Sequence, residues 1–142
     1  MDRYGQNVVG NEGQSKLILV IDDSATTRKI VAFCLACAGY QVVAFSDGYE
    51  ALRWLLRTEE QLPALLFLDL VLPRMNGYQI AHFLKEHPRF AGITIVIIAR
   101  RCGLVDKLKA RLAGASAYLS KPLRTQDIIA HASGYLGPNA SL

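Results

Sequence analysis

Charged side chains stand one or two steps past three apolar runs: Asp22 and Asp23 after 17–21, Asp69 after 65–68, and Lys121, ahead of Pro122, after 117–119. If those runs are neighbouring strands, one end of a sheet collects three carboxylates and an amine. Carboxylates a few ångströms apart repel, and the strain is relieved either by protonating one of them or by a hard divalent cation. Oxygen donors alone, with no His or Cys beside them, favour Mg²⁺ held by one or two carboxylates, a backbone carbonyl and waters. A carboxylate flanked by such a cation and an ammonium group suits a phosphoryl group, because both positive charges offset charge building on the transferring oxygens. Asp69 is then the nucleophile and forms an aspartyl phosphate. Asp23, with Asp22 behind it, holds the metal, and Lys121 pairs first with Asp69 and later with the phosphoryl oxygens. A hydrolase that makes the same intermediate needs an acid/base two residues after the nucleophile, where Val71 cannot transfer a proton. Singly, each residue has a plainer role. Asp22 and Asp23 could favour a helix N-terminus by ~0.3–1 kcal/mol, Asp69 could be a turn residue ahead of Pro73 and Gly77, and Lys121 a solvated loop lysine. Their joint occurrence at successive loops argues for a site.

Such convergence requires parallel strands. From Leu17 onward, short apolar runs alternate with longer segments of helical period, the pattern of a parallel sheet covered on both faces. Strands are expected at 17–21, 42–45, 65–68, 93–98 and 117–119. The first helix starts after Ser24 as N-cap, turns Ile30, Cys34, Cys37 and Ala38 inward, and stops at Gly39. Gly48–Arg57 should bury Ala51, Leu52, Leu55 and Leu56; Gly77–His87, ended near Pro88, should bury Ile80, Ala81, Phe83 and Leu84. Gly103–Ala113, stopped by Gly114, aligns Leu104, Leu108 and Leu112 on one stripe. Arg124–Leu136 aligns Ile128, Ile129, Ala132 and Leu136. Five such pairs with right-handed crossovers predict a doubly wound, flavodoxin-like (βα)5 sheet of order 2-1-3-4-5, with ligands beyond the carboxyl ends of strands 1 and 3. Residues 1–15 read as a flexible leader, 16–137 as the single domain, and 138–142 as a disordered tail.

Composition narrows the function classes. A chain of 142 residues, 51% hydrophobic, holds one ordinary domain. No run approaches the ~20 apolar residues needed to cross a bilayer, and the polar start has no secretory pattern, so a cytoplasmic protein without membrane insertion is expected. The net charge of +4 is spread along the chain without aromatic interleaving, which argues against direct nucleic-acid binding. Cys34, Cys37 and Cys102 are an odd number without metal-ligand spacing, which fits a reducing compartment. The Cys34/Cys37 pair falls inside a helix rather than at its start, so both read as buried small apolar residues; Cys102, after Arg100 and Arg101, reads as a loop cysteine. His82, His87 and His131 lie in helical segments away from the loops, and no glycine-rich phosphate cradle follows a strand, leaving a small-molecule enzyme without support.

The stretches ILVIDDSATTRKIV (18–31), LLFLDLVLPRMNGYQI (65–80) and YLSKPL (118–123) resemble the receiver domains of two-component response regulators, the CheY-like family. The resemblance runs from Lys16 to about Leu136, and the DDSxTxRK opening looks most like stand-alone regulators of chemotaxis and twitching-type motility. It implies phosphorylation of Asp69 by a sensor histidine kinase or phosphotransfer protein. It further implies Mg²⁺ at Asp22, Asp23, Asp69 and the Val71 carbonyl, with Lys121 on the phosphoryl group. Tyr118 matches the aromatic switch, which moves inward on activation and changes the face of helix 4, strand 5 and helix 5, where a downstream target binds. Such a protein is a phosphoacceptor with at most self-catalysed transfer and autodephosphorylation, not an enzyme on small molecules.

One position departs from the family. Ala99 stands where it carries a Ser or Thr whose hydroxyl bonds the phosphoryl oxygen. Losing a hydrogen bond to a charged acceptor forfeits roughly 1.5–3 kcal/mol, weakening the bias toward an active state by about one to two orders of magnitude. Arg100 follows, where the family usually has a small side chain; it could shield the pocket, or Arg100 or Arg101 could supply a substitute bond, against the plainer case that both point to solvent. Two functions of different class follow: a phosphoacceptor that signals by a rearranged surface, or an interaction module with a weakened switch whose Arg100, Arg101, Lys107, Lys109 and Arg111 recruit an acidic partner.

Overall fold

The computed structural model describes residues 16–100 and 103–137; the leader, the tail, Arg101 and Cys102 lie outside the described residues. Strands β1 (Leu17–Ile21), β2 (Gln41–Phe45), β3 (Leu65–Asp69), β4 (Thr94–Ala99) and β5 (Ala117–Ser120) alternate with helices α1 (Ala25–Cys37), α2 (Gly48–Arg57), α3 (Gly77–Glu86), α4 (Leu104–Leu112) and α5 (Thr125–Leu136). All strands pair in parallel in the expected order β2-β1-β3-β4-β5. This is the flavodoxin-like doubly wound fold. Side chains alternate strictly across the sheet, as the pleat requires. Leu19, Ile21, Leu66, Leu68, Ile95 and Ile97 pack with α2, α3 and Ala110 of α4. Ile18, Val20, Leu65, Phe67, Val96 and Ile98 pack with α1 and α5. Both faces being covered explains why the strands read as unbroken apolar runs.

The helix signals act where the sequence places them. Ser24 caps α1, its Oγ accepting from the Thr27 N–H at 3.2 Å. Gly39, with φ of 96°, provides the left-handed residue that lets the chain turn back into β2. Asn76 and Gln79 form a reciprocal capping box on α3. The α3 helix ends at Glu86 with His87 as its cap, one residue before Pro88.

Several inward faces differ from expectation. In α1, Val31, Cys34 and Leu35 are buried, whereas Ile30 and Cys37 are exposed. The helix is turned so that Ile30, Phe33 and Cys37 line a groove against Thr125 and Ile129 of α5. Only Cys34 of the cysteine pair is therefore a core residue; its Sγ donates to Thr125 Oγ1 at 3.6 Å. Leu56 of α2 is exposed, and Phe83, Ile129 and Leu136 are half-buried. The largest correction falls on α4, where Leu104, Leu108 and Leu112 are 82%, 54% and 78% exposed and Ala110 is the buried residue. A small alanine seats the helix on the sheet, and the leucine stripe faces away from it.

Candidate functional site

Register brings the charged residues together. Asp69 is the last residue of β3, level with Ile98 of β4, while β1 ends one step before Asp22. Backbone bonds extend the ladders past the strand ends. Asp22 N–H donates to Phe45 O at 3.1 Å, Leu70 N–H to Ile98 O at 2.9 Å, and Lys121 N–H to Ala99 O at 2.9 Å. Carboxylate oxygens of Asp22, Asp23 and Asp69 consequently lie within 4.8 Å of one another. Lys121 Nζ sits 3.1 Å from Asp22 Oδ2 and 3.4 Å from Asp69 Oδ2. Lys121 precedes Pro122 through a cis peptide bond.

Electrostatics at this point are unbalanced. Asp22 and Asp69 are buried and Asp23 is exposed. Asp22 Oδ1 accepts from the Ser24 N–H at 2.9 Å, so this acid also serves the helix terminus. Asp22 Oδ2 is wholly buried and accepts no hydrogen bond among the described residues. The nearby Lys121 ammonium is an ion-pair neighbour without hydrogen-bond alignment. Asp69 is pushed up to about 6, chiefly by burial and next by the Asp22 charge, against the opposing pull of Lys121 and the Val71 N–H. At neutral pH, three carboxylates face one ammonium, leaving two negative charges. An orphaned, buried carboxylate oxygen and an oxygen-only donor set fit a hard divalent cation of Mg²⁺ type.

Other expected positions are placed as follows. Val71 follows β3 with its side chain exposed and its N–H donating to Asp69 Oδ1 at 3.4 Å. Ala99 closes β4, buried and without a polar atom to offer the pocket. Tyr118 is half-buried on β5 against the cluster that includes Ala110 and Ala115. Arg100 is exposed and lines a cavity with Lys121 and α1. His82 and His131 lie on α3 and α5 and His87 caps α3, apart from the acidic cluster.

Two positions were missed. Arg28 Nη1 donates to the Asp22 carbonyl at 2.9 Å, locking the β1–α1 turn, and Thr27 lines the same cavity as Arg100. Both sit about one turn after Ser24, so helical period from the N-cap could have placed them over the strand end. The loop after β3 is held by Arg74, which pairs with Asp47 at 2.9 Å. It is held also by Gly77, whose added Cβ would come within 2.7 Å of the Asp69 carbonyl.

A doubly wound α/β protein with a lysine-bridged acidic pocket at its switch point is the class that fold and site define. The chain belongs to the response regulator receiver domain family, whose sequence model matches residues 18–133. It is 32% identical to protein PilG of Pseudomonas aeruginosa over 112 residues, covering 79% of this chain and 81% of that protein. It is 27% identical over 112 residues to the sensor histidine kinase CheAY of Helicobacter pylori, covering 79% of this chain and 14% of that protein. Among solved structures, a putative response regulator from Chloroflexus aurantiacus superposes with a TM-score of 0.80 at 28% identity, covering 87% of this chain and 98% of that one. The chemotaxis protein CheY4 of Vibrio cholerae shares the fold, with a TM-score of 0.79 at 23% identity over 86% of this chain and 99% of its own. No helix among the described residues is long and apolar enough to cross a membrane.

Proposed function

We propose that this receiver domain accepts a phosphoryl group on Asp69 from a phosphohistidine of a sensor histidine kinase or phosphotransfer protein. On this reading it signals through the face formed by α4, β5 and α5. The observation that carries the proposal is the gathering of the Asp22, Asp23 and Asp69 oxygens within 4.8 Å, with Lys121 bridging two of them. An Asp69 oxygen attacks phosphorus, the P–O bond forms as the P–N bond to the donor imidazole breaks, and the imidazole leaves with the electron pair. Mg²⁺, held by Asp22, Asp23, Asp69 and the Val71 carbonyl, would neutralise charge on the transferring oxygens. Lys121 transfers its contact from the carboxylate to the phosphoryl oxygens, and the Val71 N–H is a further donor at the reacting carboxylate. The product carries about −1.5 to −2 charges at neutral pH where the carboxylate carried about −1, and it adds three acceptor oxygens farther from the backbone, a change able to bias a two-state surface.

The donor protein is expected to approach over α1, where exposed Ile30 lines both the cavity at Lys121 and the apolar groove toward α5. Output is assigned to α4 because its exposed leucines and its Lys107, Lys109 and Arg111 offer an apolar, basic surface close to Tyr118. Buried Ala99 favours a second reading, an interaction module in which the pocket is retained and the switch is weak. Incubation with a phosphorylated histidine kinase and Mg²⁺ tests the first. Phosphate labile to hydroxylamine and alkali on the wild type and none on Asp69→Asn is the expected result; equal labelling of both would sink it. If Asp69→Asn leaves partner binding and cellular phenotype unchanged, the module reading holds instead.

A further inference from the structure

A phosphoryl group on Asp69 presents three acceptor oxygens, and the strand beside it ends in a methyl group where a donor is needed. Ala99, one residue past the position level with Asp69, is buried and offers no proton. The Val71 N–H and Lys121 are the donors already at the carboxylate. The first side chain after β4 is Arg100. It is exposed, and among the described residues no carboxylate pairs with it. It lines a cavity of about 480 Å³ whose other walls include Thr27 and Ile30 of α1 and Lys121. Lys121 is thus common to the cavity and to the carboxylate pair, and it is the residue through which the wall that carries Arg100 adjoins Asp69. A guanidinium carries five N–H donors in a planar fork that matches phosphoryl oxygens, and its stem is long enough to swing without moving the backbone.

We propose that Arg100 binds the phosphoryl group in the phosphorylated state, closing over it with a charge-assisted hydrogen bond that Ala99 cannot make. The inference rests on Asp69 being the phosphoacceptor. It assigns Arg100 a donor's part rather than that of a plug against water, and the two parts separate by substitution. Arg100→Met keeps bulk and removes the donors, whereas Arg100→Lys keeps a positive donor without the fork. Exposure of Arg100 means that neither change removes core packing.

The test is an NMR titration of the full chain with beryllium fluoride and Mg²⁺, following the Asp69 amide and the Arg100 Nε–H resonances. In the wild type both signals should move. Affinity should fall about 10- to 100-fold in Arg100→Met, the loss expected for one hydrogen bond to a charged acceptor, and by less in Arg100→Lys. Wild-type affinity in Arg100→Met, or a still Arg100 Nε–H while the Asp69 amide moves, would overturn the role of Arg100 and leave the phosphoacceptor reading standing. An Asp69 amide that stays still in the wild type would overturn both.

Discussion

Asp69 is a buried acid beside another acid, and the fold therefore holds it most comfortably when protonated. Its raised value, about 6, lies above the ~3.9 of an unfolded aspartate. The protonated form thus contributes stability that is complete below about pH 4 and is lost as pH rises through about 6, a swing on the order of 2–3 kcal/mol. Asp47, held low by the Glu50 N–H and Arg74, acts in the opposite sense, losing its contribution as pH falls. Comparison with Asp69→Asn removes that background. Urea denaturation from pH 4 to 8 without Mg²⁺ should show the variant gaining on the wild type as pH rises, with the gap closed by Mg²⁺. A constant gap would mean that the Asp69 carboxylate is not strained. The same crowding makes Asp22 and Asp69 poor structural residues, which is consistent with retention for chemistry.

Helix α4 shows where periodicity stops being informative. Leu104, Leu108 and Leu112 repeat at the spacing of a buried stripe, yet the sheet receives Ala110 on another face. Leu108→Ser should therefore change stability by less than about 0.5 kcal/mol, whereas Ile97→Ala in the core should cost about 2–5 kcal/mol; chemical denaturation of both variants checks the contrast. Periodicity defines a face but not what covers it. In α1 the same ambiguity exchanged Ile30 and Cys37 for Val31 and Leu35, because the stripe facing α5 is also apolar. Helix α3 adds a further point, since its start is fixed by close contact at Gly77 as well as by its capping box. An alanine at Gly77 would press on the Asp69 carbonyl at 2.7 Å and on Leu70 Cα at 2.9 Å, both backbone atoms that cannot swing aside. Gly77→Ala should cost about 1–3 kcal/mol by thermal unfolding and slow Asp69 labelling, since the loop it displaces carries Val71.

Across the molecule, the proposed input on α1 and the α4 part of the proposed output lie on opposite faces of one sheet, with α5 bordering both. Phe33, 71% exposed on α1, borders the apolar groove that continues from the cavity at Lys121 through Ile30. Phe33→Ala should slow phosphoryl transfer from a kinase protein at least several-fold and leave labelling by a small phosphodonor unchanged, because only the protein donor needs the groove. Equal slowing of both donors in stopped-flow assays would place Phe33 in the structure rather than in docking.

Strand identity and order, and the convergence of Asp22, Asp69 and Lys121, were legible from residue order because parallel strands bury both faces and deliver whatever follows them to one end. Local chemistry sufficed there: apolar runs, Ser24, Gly39 and Pro88 act within a few residues of themselves. The exposed leucines of α4, the rotation of α1, the grip of Arg28 on the β1–α1 turn and the cavity bordered by Arg100 depend on neighbours distant in the chain. A side chain's burial and its hydrogen-bond partner are properties of pairs of elements, and no single segment contains them.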